Sequence, residues 1–416
     1  MVAPYWGSSS TGAINCSGHA YVTVDGGSNG AIANTSNGTG LADSASSFGI
    51  YFNRCPNSEI KNLTISNIYL NQGSATTATD TAGQTTGDIF LQGTSTNTLV
   101  HNNTLNNART GVWVSFDSGG DASGLQIYSN TLSDHPWGIS IGADYATSTA
   151  AGVVIHDNNF SNWSNWQFPT GTYHTDGIIL FNDATPANSI ATFTIYNNTF
   201  TGSLGHGSPT GYIACGTYTA CTIFNNLMVD TGSYTCDGYL WMYANGGPDY
   251  IYNNTLVASS TASASIAITL MGSKVTVKNN VFTNVAVGIH DYDTLTADVV
   301  ASDHNVWRTM TGTAPEFATS DSTWVALGSW QSSGYDTNSS TADPMLSAAY
   351  LPQKGSAAIG RGANLTTLGV SALNVDLAGT PRSGTLTCTP GVTGCWDAGT
   401  YNAGPAPPLT LVNSVQ

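Results

Sequence analysis

Positive charge is the scarcest property of this sequence. Nine Lys and Arg face 25 Asp and Glu, giving a net charge of −16 at pH 7. A nucleic-acid binder needs a basic footprint, so the balance argues against that class, and equally against docking on anionic lipid. Charged residues of both signs make up only 8% of the chain, against about 25% in ordinary globular domains. Helix formers are also scarce: there are four Lys, few Glu and 46 Gly, which speaks against an α-helical protein. No run of 18 apolar residues exists, so no segment reads as a membrane span. No CxxC pair occurs, which argues against a zinc ribbon. The opening MVAPYWG lacks the charged and apolar regions of a secretory leader and is read as the start of a mature chain. What is present is 40% hydrophobic residues, enough for a large core despite the many Ser, Thr, Asn and Gly.

Seven cysteines occur. Cys388 and Cys395 flank a Pro-Gly turn and could close a small loop, and Cys215 and Cys221 are similarly close. The odd count leaves at least one thiol unpaired, and Cys236 is expected to be it, as a buried structural group. The composition resembles that of secreted proteins, where disulfides persist, so an extracellular location is expected.

The chain repeats itself. The phrase V-x-I-x-N-N-T-F recurs as TLVHNNTL, LQIYSNTL, VVIHDNNF, FTIYNNTF, CTIFNNLM, YIYNNTL, VTVKNNVF and VVASDHNVW. Aligned on one Asn it gives Asn103, Asn130, Asn158, Asn198, Asn226, Asn254, Asn280 and Asn305, with Asn67 as a candidate earlier member. A second phrase, G-I-x-I, begins at Gly49, Gly87, Gly111, Gly138, Gly177, Gly211, Gly238, Ser265 and Gly288, and one Asn lies in each interval. Both phrases alternate apolar and polar residues and therefore read as strands. A period of about 25–28 residues is too short for a four-stranded propeller blade. The expectation is an all-β, single-stranded right-handed parallel β-helix of nine to eleven turns, with rungs ~4.8 Å apart. The Asn column would bond amide to amide between turns and occupy the left-handed bend at each corner. Residues 1–20 would cap one end, 21–345 form the helix, and 346–416 cap the other.

These repeats resemble the pectate-lyase-like superfamily of secreted β-helix proteins over roughly residues 20–345. The segments GSAAIGRGA, VDLAGTPRSG and WDAGTYN resemble the closing segment of bacterial members. HTDGI and GHG are similar to the NTDGI and GHG motifs of polygalacturonases, with His174 standing where that motif has Asn. The resemblance implies a carbohydrate-active protein, with Asp176 as a catalytic carboxylate and His206 supporting the site.

Numbered from its Gly, the G-I-x-I strand faces the core at offsets +1 and +3 and outward at +2, +4 and +6. Offset +6 carries Asp117, Asp144 and Asp183 on consecutive turns. Such an acidic column suits Ca²⁺, the candidate cofactor, or supplies acid and base to a glycosidic bond. Before the strand, offset −3 holds His135 and His174, offset −1 holds Asp176 and Asp237, and Arg109 lies one turn below His135. His and Asp together can transfer protons near neutrality. The insertion 161–173 adds Trp163, Trp166 and Tyr173, and Trp113 and Trp241 face outward in the same quarter; aromatic rings beside carboxylates suit a sugar. The expected catalytic group is Asp176, Asp183, His174 and Arg109. Trp113, His135, Trp163, Trp166, Tyr173, His206, Asp237 and Trp241 are the candidate substrate contacts. The function expected is cleavage of an extended polysaccharide along the outer face by a monomer, with hydrolysis favoured over Ca²⁺-dependent elimination. A non-catalytic, glycan-binding surface β-helix is the rival.

Overall fold

The computed structural model describes residues 1–3, 11–71, 85–116, 119–143, 147–163, 174–182, 190–204, 209–232, 236–243, 246–259, 265–292, 298–320, 322–382 and 396–403. The chain folds as a parallel β-helix. One sheet stacks eleven parallel strands, from Gly12–Ser17 through Trp137–Ala143, Thr175–Asn182, Pro209–Cys215 and Leu240–Tyr243 to Glu316–Ser320; Thr323–Val325 adds a twelfth, antiparallel. The other sheet has 19 strands, most of them short pairs such as Gln126–Tyr128 and Thr131–Ser133 on each turn. Among the described residues no helix is long and apolar enough to cross a membrane.

Alternation produces the core. Val112, Ile139, Ile178, Ile213, Leu240, Ile268 and Ile289 stand in register, and all are buried in one continuous cluster. Burying each such side chain is worth roughly 1.5–3 kcal/mol, and stacking like on like leaves no gap between turns.

The Asn column is buried and bonded from rung to rung. Asn103 donates its backbone and side-chain N–H to Asn130 Oδ1, both at 3.0 Å, and the pattern repeats through Asn158, Asn198, Asn226, Asn254 and Asn280 to Asn305. The left-handed bend falls one residue earlier than expected: Asn102, Ser129, Asp157, Asn197, Asn225, Asn253, Asn279 and His304 have φ of 50–61°. Asn67 is not a rung. It also bends left-handed, and Leu63 is level with Asn103, so the ladder starts at Asn103.

The ends differ from the expected boundaries. Gly12–Ser17 is already the first rung, joined to the second by a Cys16–Cys55 disulfide. The far end is closed by residues 316–336, where Trp330 stacks on Phe317 at 4.9 Å. The segment expected to be the cap instead runs back along the side as a strap. Its backbone takes bonds from Asn225 (to Val375 O), Asn253 (to Asp397 O) and Asn279 (to Ala363 O), and Leu365, Leu373 and Trp396 cover Phe224 and Tyr252. Cys215 and Cys221 are bonded, as their spacing implied, and Cys236 is a buried free thiol, as expected. Cys388 and Cys395 lie outside the described residues.

Candidate functional site

The longer strands carry an outward groove of about 630 Å³ between the turns of Trp137 and Tyr243. Its floor is made of small or aliphatic residues, Ile179, Ala214 and Gly216, and its walls are Trp137, Phe181, Trp241 and Tyr243. The Phe181 ring lies directly over Gly142: a Cβ there would come within 2.1 Å of the ring, so the ring fills the space that a side chain at 142 would take. The strands are in register as Ser140, Ile179, Ala214 and Trp241, so the groove runs along the helix axis. Such an apolar trough with aromatic walls suits the C–H faces of sugar rings.

His174 and Asp176 stand at one edge. Two residues apart on an extended strand, they reach the same side. Asp176 Oδ2 accepts from His174 Nδ1 at 2.6 Å; the Asp176 side chain is fully buried, whereas that of His174 is 39% exposed and lines the groove. Burial pushes the Asp176 carboxyl up, while bonds from His174, Thr210 and the Gly211 backbone pull it partly back. Thr210 Oγ1 is also 3.4 Å from His174 Nδ1. With Nδ1 engaged by the carboxylate, Nε2 is the nitrogen left to work in the groove. The expected roles are therefore reversed: a fully buried Asp176 cannot touch a glycan, and His174 is the group that can.

Trp137, absent from the expected set, lies between two of its members. The Arg109 guanidinium stacks 4.0 Å from the centre of its ring, and His174 packs at 5.0 Å. Arg109 thus supports the aromatic wall two rungs from Asp176 and does not reach the dyad as a base. Asp237 is exposed. The register makes Gly238, not Asp237, level with Gly211 and Asp176, so Asp237 stands beside Thr210's strand. Burial and the neighbouring Asp176 push its carboxyl up, and His174 pulls it down.

Two expected contacts are corrected by burial. His135 turns inward and its Nε2 lies 2.7 Å from Asp88 Oδ2, both side chains being almost completely enclosed. Trp163 is 2% exposed; its indole N–H donates to Asp176 O at 3.2 Å, so it braces the dyad's strand and offers no sugar platform. Trp113 is partly buried in a stack with Phe90 at 4.6 Å, below the groove. Trp241 lines the groove as expected. Asp117, Asp144, Trp166, Tyr173, Asp183 and His206 lie outside the described residues. Among the described residues no group of three His, Cys, Asp or Glu is placed to hold a metal ion.

The fold and groove together define a parallel β-helix protein with an aromatic-walled outer cleft and a His–Asp dyad at its edge. The chain matches no protein-family model, no curated protein and no solved structure.

Proposed function

We propose that this protein hydrolyses glycosidic bonds of an extended, uncharged glycan laid along the groove. The observation that carries the reading is the half-exposed His174 imidazole, held by the fully buried Asp176 carboxylate at the edge of an aromatic-walled trough. A proton-transferring group poised by a buried carboxylate beside a sugar-shaped surface is what general acid–base cleavage requires. His174 exchanges the proton, Asp176 positions it, and Trp137, Phe181 and Trp241 hold the sugar rings. The choice of an uncharged glycan follows from the lining: His174 is its only basic side chain among the described residues, and a polyuronate would meet a protein of net charge −16.

The test is a product screen on neutral and acidic polysaccharides, with Ca²⁺ or with EDTA. New reducing ends from neutral glycans, unchanged by EDTA and lost in His174→Ala, are expected. Unsaturated products that absorb in the ultraviolet and vanish with EDTA would replace hydrolysis by Ca²⁺-dependent elimination. Binding without products would leave a glycan-binding surface protein.

A further inference from the structure

We infer that the ligand of the groove is a β-1,4-linked ribbon glycan, and that it runs on past the groove to a second aromatic platform built by Tyr292 and Trp324; this rests on the reading of the groove as a glycan site and names its ligand. The spacing of rings on the outer face of the long-stranded sheet carries it. Toward the N-terminal end, Tyr51, Phe90 and Trp113 stand level on consecutive rungs. Rungs ~4.8 Å apart let such rings pack on one another. They do so at 5.4 and 4.6 Å, and Tyr51 and Phe90 are buried. From Gly142 onward the rings fall on alternate rungs instead. In one outward column Phe181 is followed by Gly216, Tyr243, Met271 and Tyr292; in the other, Trp241 is followed by Thr269 and His290. Two rungs span roughly 10 Å, too far for these rings to cover one another, so their faces stay open to a ligand. The small rungs also let rings lie down. A Cβ on Gly142 would be almost equally far from Cζ, Cε2 and Cε1 of Phe181, which puts it beneath the ring's centre. One face of Phe181 therefore rests on the sheet and the other turns outward.

A pyranose chain joined by β-1,4 bonds turns each sugar by half a turn from the last. It repeats at every second sugar, close to the two-rung distance of roughly 10 Å. Alternate sugars then meet a ring with the same C–H face all along the sheet. An α-1,4 or a β-1,3 chain coils and loses that register. The platform stands where a straight chain next lands. His290 is two rungs beyond Trp241, and its buried ring lies 3.9 Å from Tyr292. Trp324 reaches back across Ala318 to 4.9 Å from the same ring. Tyr292 and Trp324 are 39% and 43% exposed, so the pair is held from beneath and open above.

The experiment measures binding by calorimetry and cleavage by reducing ends, on neutral β-1,4, β-1,3 and α-1,4 glycans and on a length series of β-1,4 oligosaccharides. The wild type is expected to prefer the β-1,4 chain, with affinity rising in steps of two sugars. Trp324→Ala should raise Kd about tenfold on the polymer, the size of a lost ring contact, and leave the shortest oligosaccharide that binds unchanged. Trp324→Phe should keep most of the affinity, and both variants should melt close to the wild type. Preference for another linkage, or equal affinity for all three, would overturn the ribbon. No loss in Trp324→Ala, or the same loss on short and long chains, would overturn the platform. Either result leaves hydrolysis standing. Stepwise β-1,4 binding without new reducing ends would uphold this ligand and overturn hydrolysis instead, and no binding to any of the glycans would overturn both.

Discussion

Asp88 occupies a column that glycine fills on neighbouring rungs. Gly49, Gly111, Gly138 and Gly177 stand there because a Cβ would meet backbone or core atoms at 2.5–2.7 Å. The Asp88 carboxyl instead points inward and finds His135. Burial raises Asp88 well above the usual carboxylate range and lowers His135 to about 3. The two signs are opposite. Folded Asp88 holds its proton above the unfolded value of about 3.9, so its contribution is full in acid and lost as pH rises. Folded His135 refuses a proton that the unfolded chain takes up below about 6.5, so its contribution is full near neutrality and lost toward pH 3. Asp88→Asn should therefore raise the melting temperature near neutrality and give no gain near pH 4, and His135→Gln should do the reverse. Thermal unfolding across that range is the check, and a pH-independent effect of either variant would contradict it. The sequence did carry the signal, as an Asp one place after Gly87 where the strand register calls for Gly. Reading Gly87 as the repeat glycine hid that shift, and with it the partner that takes His135 out of the groove.

At the scale of the strand and its corner, period-two alternation sets the inward column and the Asn phrase sets the rung spacing. Both were legible because every turn restates them. The left-handed bend and the amide ladder, read as one residue, are two neighbours with different chemistry. Asn198 donates to Asn226 Oδ1, Ile155 O and Tyr196 O, and accepts from Asn158. Asn198→Ala strands several buried partners and should cost about 3 kcal/mol or more, at roughly 1–3 kcal/mol for each unsatisfied group. Asn197, at φ 54°, needs only its backbone conformation, which glycine adopts freely, so Asn197→Gly should stay within about 1 kcal/mol. Denaturant unfolding of the two variants separates the roles, and equal costs would show that they had been divided wrongly. The groove was legible only in part. Outward Trp241 follows from alternation, but which way His174, His135 and Trp163 turn depends on contacts between turns that a one-dimensional pattern does not hold.

On the scale of the whole molecule, the strap is a separate layer fastened to a finished solenoid. Arg382 is its buried fastener: its guanidinium donates to Asn225 Oδ1, Gly399 O and Thr400 O at 3.0–3.1 Å, and burial brings it down to about 10. Arg382→Met should loosen the strap while leaving the groove intact. Hydrogen exchange should rise across 341–382 and stay unchanged in Thr175–Asn182; a global rise would mean that strap and solenoid fold as one. The strap's sequence was read as a cap because its docking surface, the outward Asn225, Asn253 and Asn279, lies far away along the chain. The solenoid's true terminus is Asp336, whose carboxylate takes bonds from Asn305 Nδ2, Trp307 Nε1, Trp330 Nε1 and Ser302 Oγ. From rung to rung, each amide donates to the Oδ1 of the next rung toward this end and accepts from the one behind, so the amide-to-amide bonds have a direction, like a row of dipoles in a crystal. The row ends on acceptors of another kind: Asn305 N–H donates to Ser339 Oγ and its Nδ2 to the Asp336 carboxylate, to which Ser339 Oγ donates in turn. A whole turn could be added or removed below Asp336 and the row would still match, whereas nothing of its own kind could be added beyond. The length of the molecule is thus an integer number of turns, counted from a fixed stop.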